Sequence, residues 1–292
     1  MKNNNLSHDF SYNNLPLHRR GQFLDIIKNE WKTLLLLGLW FLIAAIPYIV
    51  IYALKFYGYS FLLGAYQEAG ISEEEIYNNL LIYNLIADSV NVISYIPFAI
   101  VFAGASRIYR NLIYDEGILF KEDFIKGIKT MFKYYIVIML IYGVIKIGVN
   151  FTVNMSNLTG DIFTLILSGF LLIAFYVVIV PSLSFICNLQ QIYKISIFNS
   201  IRSSVKMTFS SIFIAFLFVL PLYFVQYISI IAVLLFEILI LIMIVLLIIP
   251  VYLLGWKLFV AYLFDKFINL DNYPDFYRKG LAPYANSIKN KE

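Results

Sequence analysis

Two ionisable residues lie inside stretches otherwise apolar enough to enter a bilayer, and these are the first places to look for chemistry. Asp88 shares one helical stripe with Asn84, Asn91 and Tyr95, and Lys146 lies one turn from Tyr142 and Asn150. A charge in hydrocarbon is costly, so such residues pair with one another or face a water-filled cavity. Both sit at a similar depth toward the same end of their spans, which predicts an Asp88–Lys146 ion pair with Gln226 close by. A cluster of Asp88, Asn91, Lys146, Asn150 and Gln226 has two open roles. It locks two helical hairpins together, or it forms a polar vestibule that contacts a solute or ion.

Other reactive residue types do not assemble into a site. The two histidines, His8 and His18, lie in a polar N-terminal arm, which leaves no His/Cys set with zinc spacing. The single cysteine, Cys187, excludes an internal disulfide and reads as a packing residue in an apolar stretch. No nucleophile elbow, phosphate loop or HExxH motif is present, so the expectation is a non-enzymatic protein with no cofactor and no metal. Ser72-Glu73-Glu74-Glu75 reads as a capping box that starts a helix. Asn150-Phe151-Thr152 and Asn157-Leu158-Thr159 match the glycosylation pattern, as chance does in an Asn-rich chain of bacterial composition.

The elements that must carry these residues follow from composition. Of 292 residues 61% are hydrophobic and only 14% charged, far from the balance of a water-soluble domain. Six stretches approach the roughly 20 apolar residues that cross a hydrocarbon core of about 30 Å. They cover 33–54, 82–105, 132–151, 162–186, 210–230 and 237–264, with a cytoplasmic arm and interfacial segment at 1–32 and a cytoplasmic tail at 265–292. The fold class expected is an all-α six-helix transmembrane bundle. The polar first twenty residues show no removable signal peptide. Lysine and arginine are retained on the cytoplasmic side of short loops. Twenty of the 22 basic residues, all but Lys55 and Lys146, fall in the N-terminal arm, the second and fourth connections, and the region after Pro250. This places both termini in the cytoplasm and the protein in the cell membrane. The net charge of +4 then reflects topology, not nucleic-acid binding.

The spans also resemble one another. Phe23, Ile27, Lys28, Trp31 and Lys32 align with Phe124, Ile128, Lys129, Phe132 and Lys133, and with Ile197, Ile201, Arg202, Val205 and Lys206. A helix breaker follows 24 residues after the first position of each: Pro47, Gly148 and Pro221. Pro97, Pro181 and Pro250 are each followed twelve residues later by Tyr109, Tyr193 and Tyr262. The simplest reading is three copies of one kinked helical hairpin, each led in by a basic-aromatic segment. Such a segment lies along the inner interface with Lys28, Lys32, Lys129, Lys133, Arg202 and Lys206 on lipid phosphates, or it extends the following span.

Three segments carry a family resemblance. Leu39-Trp40-Phe41-Leu42 leads to Ile46-Pro47; Phe120-Lys121-Glu122-Asp123-Phe124 precedes Gly127-Ile128-Lys129 and Phe132-Lys133; Asn199-Ser200-Ile201-Arg202 precedes the fifth span. In these the chain resembles the YesL-like family of bacterial membrane proteins and, more weakly, the membrane domain accompanying glycerophosphodiester phosphodiesterases. The first resemblance implies an accessory or regulatory component linked to carbohydrate uptake, with transporter subunits or another membrane protein as partner, and transfers no catalytic residue. Two rival readings stand beside it. One is a small transporter or channel with its polar site in the outer half of the bundle; the other is a lipid-handling or membrane-organising protein.

Overall fold

The computed structural model describes residues 15–193, 195–218 and 242–282, and all regular structure among them is helical. A short helix α1 (Arg19–Asn29) precedes α2 (Trp31–Glu68), which turns at Gly70 into α3 (Glu73–Asn91). A 3-10 turn (Val92–Ser94) joins α3 to α4 (Tyr95–Tyr114), and α5 (Phe120–Thr159) follows. Next come α6 (Ile162–Ala174), a π-helical turn (Phe175–Ile179) and α7 (Val180–Tyr193). Helix α8 (Ile197–Ser210) is bent by 89° from α9 (Ile212–Phe218). A second π turn (Ile244–Ile248) opens α10 (Ile249–Phe264), and a third (Asp265–Asn269) closes it.

Five helical runs are long and apolar enough to cross a membrane, and the bent α8–α9 pair makes a sixth if counted as one span. The chain is therefore a helical, multi-span membrane protein. Most of the expected fifth span, the start of the sixth and Pro221 fall outside the described residues. The helices overrun the expected spans. α2 has 38 residues, about 57 Å at 1.5 Å per residue, because nothing between Leu54 and Glu68 breaks its hydrogen-bond ladder. The Ser72 hydroxyl accepts the Glu75 amide and so starts α3 as its sequence implied.

The lead-in segments do not share one geometry. The first is cut from α2 at Glu30 and the third from α9 at Ser211, where φ opens to −115° and −126°. The Ser211 hydroxyl draws on the Met207 carbonyl, and this local bond competes with the helix. The middle copy has no such break: Phe120 to Thr159 is one 40-residue helix, so that segment extends its span and is not a separate interfacial element. The tail differs too. Asp265–Asn272 continues the last helix, and the chain then returns to the start of α1, where the Ala282 amide donates to the Pro16 carbonyl.

Proline supplies no backbone donor and its ring strikes the carbonyl four residues earlier. At Pro181 and Pro250 that carbonyl lies within a π turn that ends two residues before the proline. At Pro97 it lies in the 3-10 turn. Pro47, by contrast, lies in an uninterrupted α2.

Small residues bring the helices together. A Cβ on Gly38 of α2 would stand 2.0 Å from the Leu246 carbonyl oxygen, so the backbones there are in contact. One on Gly127 of α5 would meet the Ala103 carbonyl of α4 at 2.7 Å. Around these contacts Leu37, Phe41, Ile108, Tyr109 and Leu254 are fully enclosed, joining α2, α4 and α10. A second cluster joins α7, α8 and α10 through Phe185, Leu189, Val260 and Phe264. Gly38→Ala should force the two backbones apart and cost about 1–3 kcal/mol. Gly64→Ala, with nothing within 4 Å, should leave thermal unfolding in detergent unchanged or slightly raised. Equal behaviour of the two variants would refute the close contact at Gly38.

Candidate functional site

Asp88 is buried, as expected of an intramembrane acid, but its partner is not Lys146. Its Oδ1 accepts the Lys55 ammonium at 2.6 Å and its Oδ2 accepts the Asn150 amide at 3.2 Å. Three helices, α2, α3 and α5, thus meet on one carboxylate. Asn91 serves its own turn instead: its side-chain oxygen accepts the Ser94 hydroxyl. Lys146 lies 5.7 Å from the Tyr142 ring centroid and faces elsewhere, while Gln226 is outside the described residues. The Lys55 contact arises because α2 continues past residue 54, which keeps Lys55 on a helix and out of a loop. The signal was present in the spacing. In an antiparallel hairpin residues equidistant from the turn face one another, and Lys55 and Asp88 lie almost symmetrically about Ile71.

Lys146 faces a cavity of about 400 Å³ between α2, α4, α5, α7 and α10. Among the described residues seven tyrosines line it: Tyr48, Tyr95, Tyr109, Tyr135, Tyr142, Tyr176 and Tyr252. Their rings brace one another, Tyr95 edge-on to Tyr142 at 5.5 Å and Phe102 stacked on Tyr135 at 6.1 Å. Tyr135, Tyr142 and Lys146 recur at helical spacing on one face of α5 and run along the wall for roughly 16 Å. Near Tyr135 the wall is completed by Cys187, Ser106 and Ser184.

A second lysine, Lys257 of α10, enters the same cavity. Its ammonium donates to the side-chain oxygens of Asn188 and Gln191, and Gln191 in turn donates to the Ser106 carbonyl at 2.6 Å. Beside it the Trp256 indole donates to the Ser184 hydroxyl at 2.6 Å. Among the described residues, the acceptors that Lys257 reaches are neutral. Counting it among the positive charges that set orientation concealed this residue; its setting in Leu253-Leu254-Gly255-Trp256-Lys257-Leu258-Phe259 marked it as intramembrane. Cys187 is buried as expected of a packing residue, yet it also forms part of this wall.

The six lead-in cations Lys28, Lys32, Lys129, Lys133, Arg202 and Lys206 are all exposed, and none faces the cavity. At the end of the bundle that carries α1, a polar cluster gathers both ends of the described chain. Arg19 pairs with Asp265 at 2.8 Å and donates to the Lys279 carbonyl at 3.1 Å. Buried Gln22 donates to the carbonyls of Ile113 and Gly280, and Asn269 donates to Asp265. Neighbouring Lys279 bridges to Glu116 at 2.6 Å.

Together the described residues define a polytopic helical protein with an aromatic, cationic chamber and structural ion pairs away from it. No protein-family model, curated protein or solved structure matches the chain.

Removing one partner of a partly buried pair leaves the other charge uncompensated. Lys55→Met should therefore destabilise by about 1–3 kcal/mol, reduced below the full cost of a buried pair because the Asn150 contact persists. Adding Asp88→Asn to that variant should recover part of the loss. Thermal unfolding of the four proteins of this cycle in one detergent measures the coupling, and strict additivity would show the pair to be idle.

Proposed function

We propose that this protein is a small-solute carrier of the cell membrane that admits its ligand to the central cavity. The carrying observation is the cavity itself. It is walled by five helices, has hydroxyls and two ammonium groups among aromatic rings, and falls within the size range of small-molecule sites. An accessory protein acting through its outer helix faces, as the YesL-like resemblance implies, has no use for such a chamber. The polar site differs from the one the sequence suggested: Asp88, Lys55 and Asn150 bind the hairpins together, and Lys146 serves the cavity.

Cytoplasmic termini and a threefold hairpin repeat belong to the same proposal. The charge distribution supports the first, and the matched π turns before Pro181 and Pro250 support kinked equivalent helices in two of the three copies. Exposure of the six lead-in cations supports their contact with lipid phosphates at the inner face.

Native Cys187 probes the cavity, being the single cysteine and part of its wall. A small neutral methanethiosulfonate should modify it in membranes, and Met139→Trp, which fills the cavity from α5, should slow that reaction at least about tenfold. A rate untouched by the plug would overturn the carrier reading. Orientation has its own test in a Cys187→Ser background. An impermeant maleimide added to intact cells should label Ser72→Cys and spare Ser287→Cys; equal labelling of both would reverse the assignment.

A further inference from the structure

We propose that the ligand is an organic anion, with an apolar or aromatic body against the tyrosine walls and its charged group on Lys146 or Lys257. This rests on the reading of the cavity as a solute site and adds the ligand's charge.

Charge balance supports the proposal. Lys146 of α5 and Lys257 of α10 both face the chamber, and among the described residues no carboxylate lines it. Asp88, seven residues before the wall residue Tyr95, is already engaged by Lys55 and Asn150. Arg19 engages Asp265 outside the chamber. Lys257 donates to the amide oxygens of Asn188 and Gln191, which take up two of its protons without cancelling its charge. Lys146 near the Tyr142 ring is likewise steadied by a quadrupole and not neutralised. Two cations that no described carboxylate compensates, set in an aromatic cavity, make a positive potential that an incoming anion relieves.

The wall favours an anion over the other ligand classes. A cation would find tyrosine faces to rest on, but it would meet two ammonium groups with no carboxylate among the described lining residues to offset them. A sugar needs paired donors and acceptors over most of its surface, whereas this wall is chiefly ring faces and apolar side chains, with Met139, Ile138, Leu183 and Leu253 among them. The tyrosine hydroxyls add neutral donors beside the lysines, a combination suited to carboxylate, sulfonate or phosphate oxygens. The two lysines mark different ends of the chamber. Lys146 lies eleven residues along α5 from Tyr135, which packs with Cys187. Gln191, one turn on from Cys187 in α7, accepts from Lys257. An anion crossing the chamber would pass from one ammonium to the other along a tyrosine-lined path.

The test uses the intact chain in lipid nanodiscs and the rate at which Cys187 reacts with three methanethiosulfonates of similar size: sulfonatoethyl (negative), hydroxyethyl (neutral) and trimethylammonioethyl (positive). Each rate is divided by that of the same reagent with a free thiol in solution, and the neutral reagent reports cavity access and the state of the thiol itself. The expected result is a negative-over-positive preference of at least roughly tenfold, the scale set by a unit charge about 10 Å away at an effective dielectric near 20. Lys257→Gln and Lys146→Gln should each reduce the preference several-fold while the neutral rate stays within about twofold; with two independent substitutions, loss of fold in one leaves the other decisive. 2-Naphthoate should protect Cys187, and 2-naphthylmethylammonium should not. Equal rates for the charged reagents, a preference for the cation, or a preference indifferent to both substitutions would overturn the anion assignment while leaving the cavity intact. Failure of all three reagents to react both at Cys187 and at a second wall position, Met139→Cys, would instead remove the solute site on which the assignment stands.

Discussion

A polar group carried between membrane spans has no bulk water to turn to, so its partner must come from the protein. This requirement organises the molecule at three levels. Asp88 draws α2 and α5 onto α3 through Lys55 and Asn150. Lys257 draws α7 onto α10 through Asn188 and Gln191, and the remaining amide of Gln191 reaches the Ser106 carbonyl of α4. Tyr109 of α4 closes the set by donating to the Pro250 carbonyl at the head of α10. Apart from Lys55–Asp88, which closes one hairpin, each bond crosses between helices that do not follow one another in sequence, so the polar residues fix which helices are neighbours. Apolar packing, equally content with any neighbour in lipid, supplies contact without that selectivity.

Backbone proximity and the chamber are two sides of one arrangement. Gly38 against Leu246 and Gly127 against Ala103 allow helix pairs to touch at the backbone. Elsewhere the wall consists of tyrosines, whose wide rings hold the helices apart while bracing each other edge to face. The π turn before Pro181 lies beside the chamber, where Tyr176 and Pro181 form part of its lining.

The sequence made the class of fold legible, because runs of apolar residues interrupted by charged loops admit few alternatives. It also made the cost of Asp88 and Lys146 legible, and both are indeed held by other groups. Their pairing was out of reach, since depth along a span says nothing about which face of a helix meets which neighbour. Lys55 was obscured by a span boundary drawn from hydropathy alone; Glu68, not residue 54, is where α2 ends. Lys257 was hidden by its own usefulness, because a cation read as a topological marker invites no second role. The continuity of α5 through its lead-in segment was equally invisible, for the pattern Phe-x3-Ile-Lys-x2-Phe-Lys is compatible with a helix that bends or one that does not.

The cluster joining the ends of the described chain sets an order of events. Arg19 finds its carboxylate at Asp265, 246 residues further on, and a carbonyl at Lys279, 260 residues further on. Gln22 waits for the Gly280 carbonyl in the same way. At synthesis rates of about 5–20 residues per second, α1 spends roughly 12–50 s without these partners. Its polar groups must meanwhile be served by water or lipid headgroups at the membrane surface. Helix α1 is thus among the last of the described helices to settle, and its docking marks the moment at which the later helices have been delivered and correctly placed.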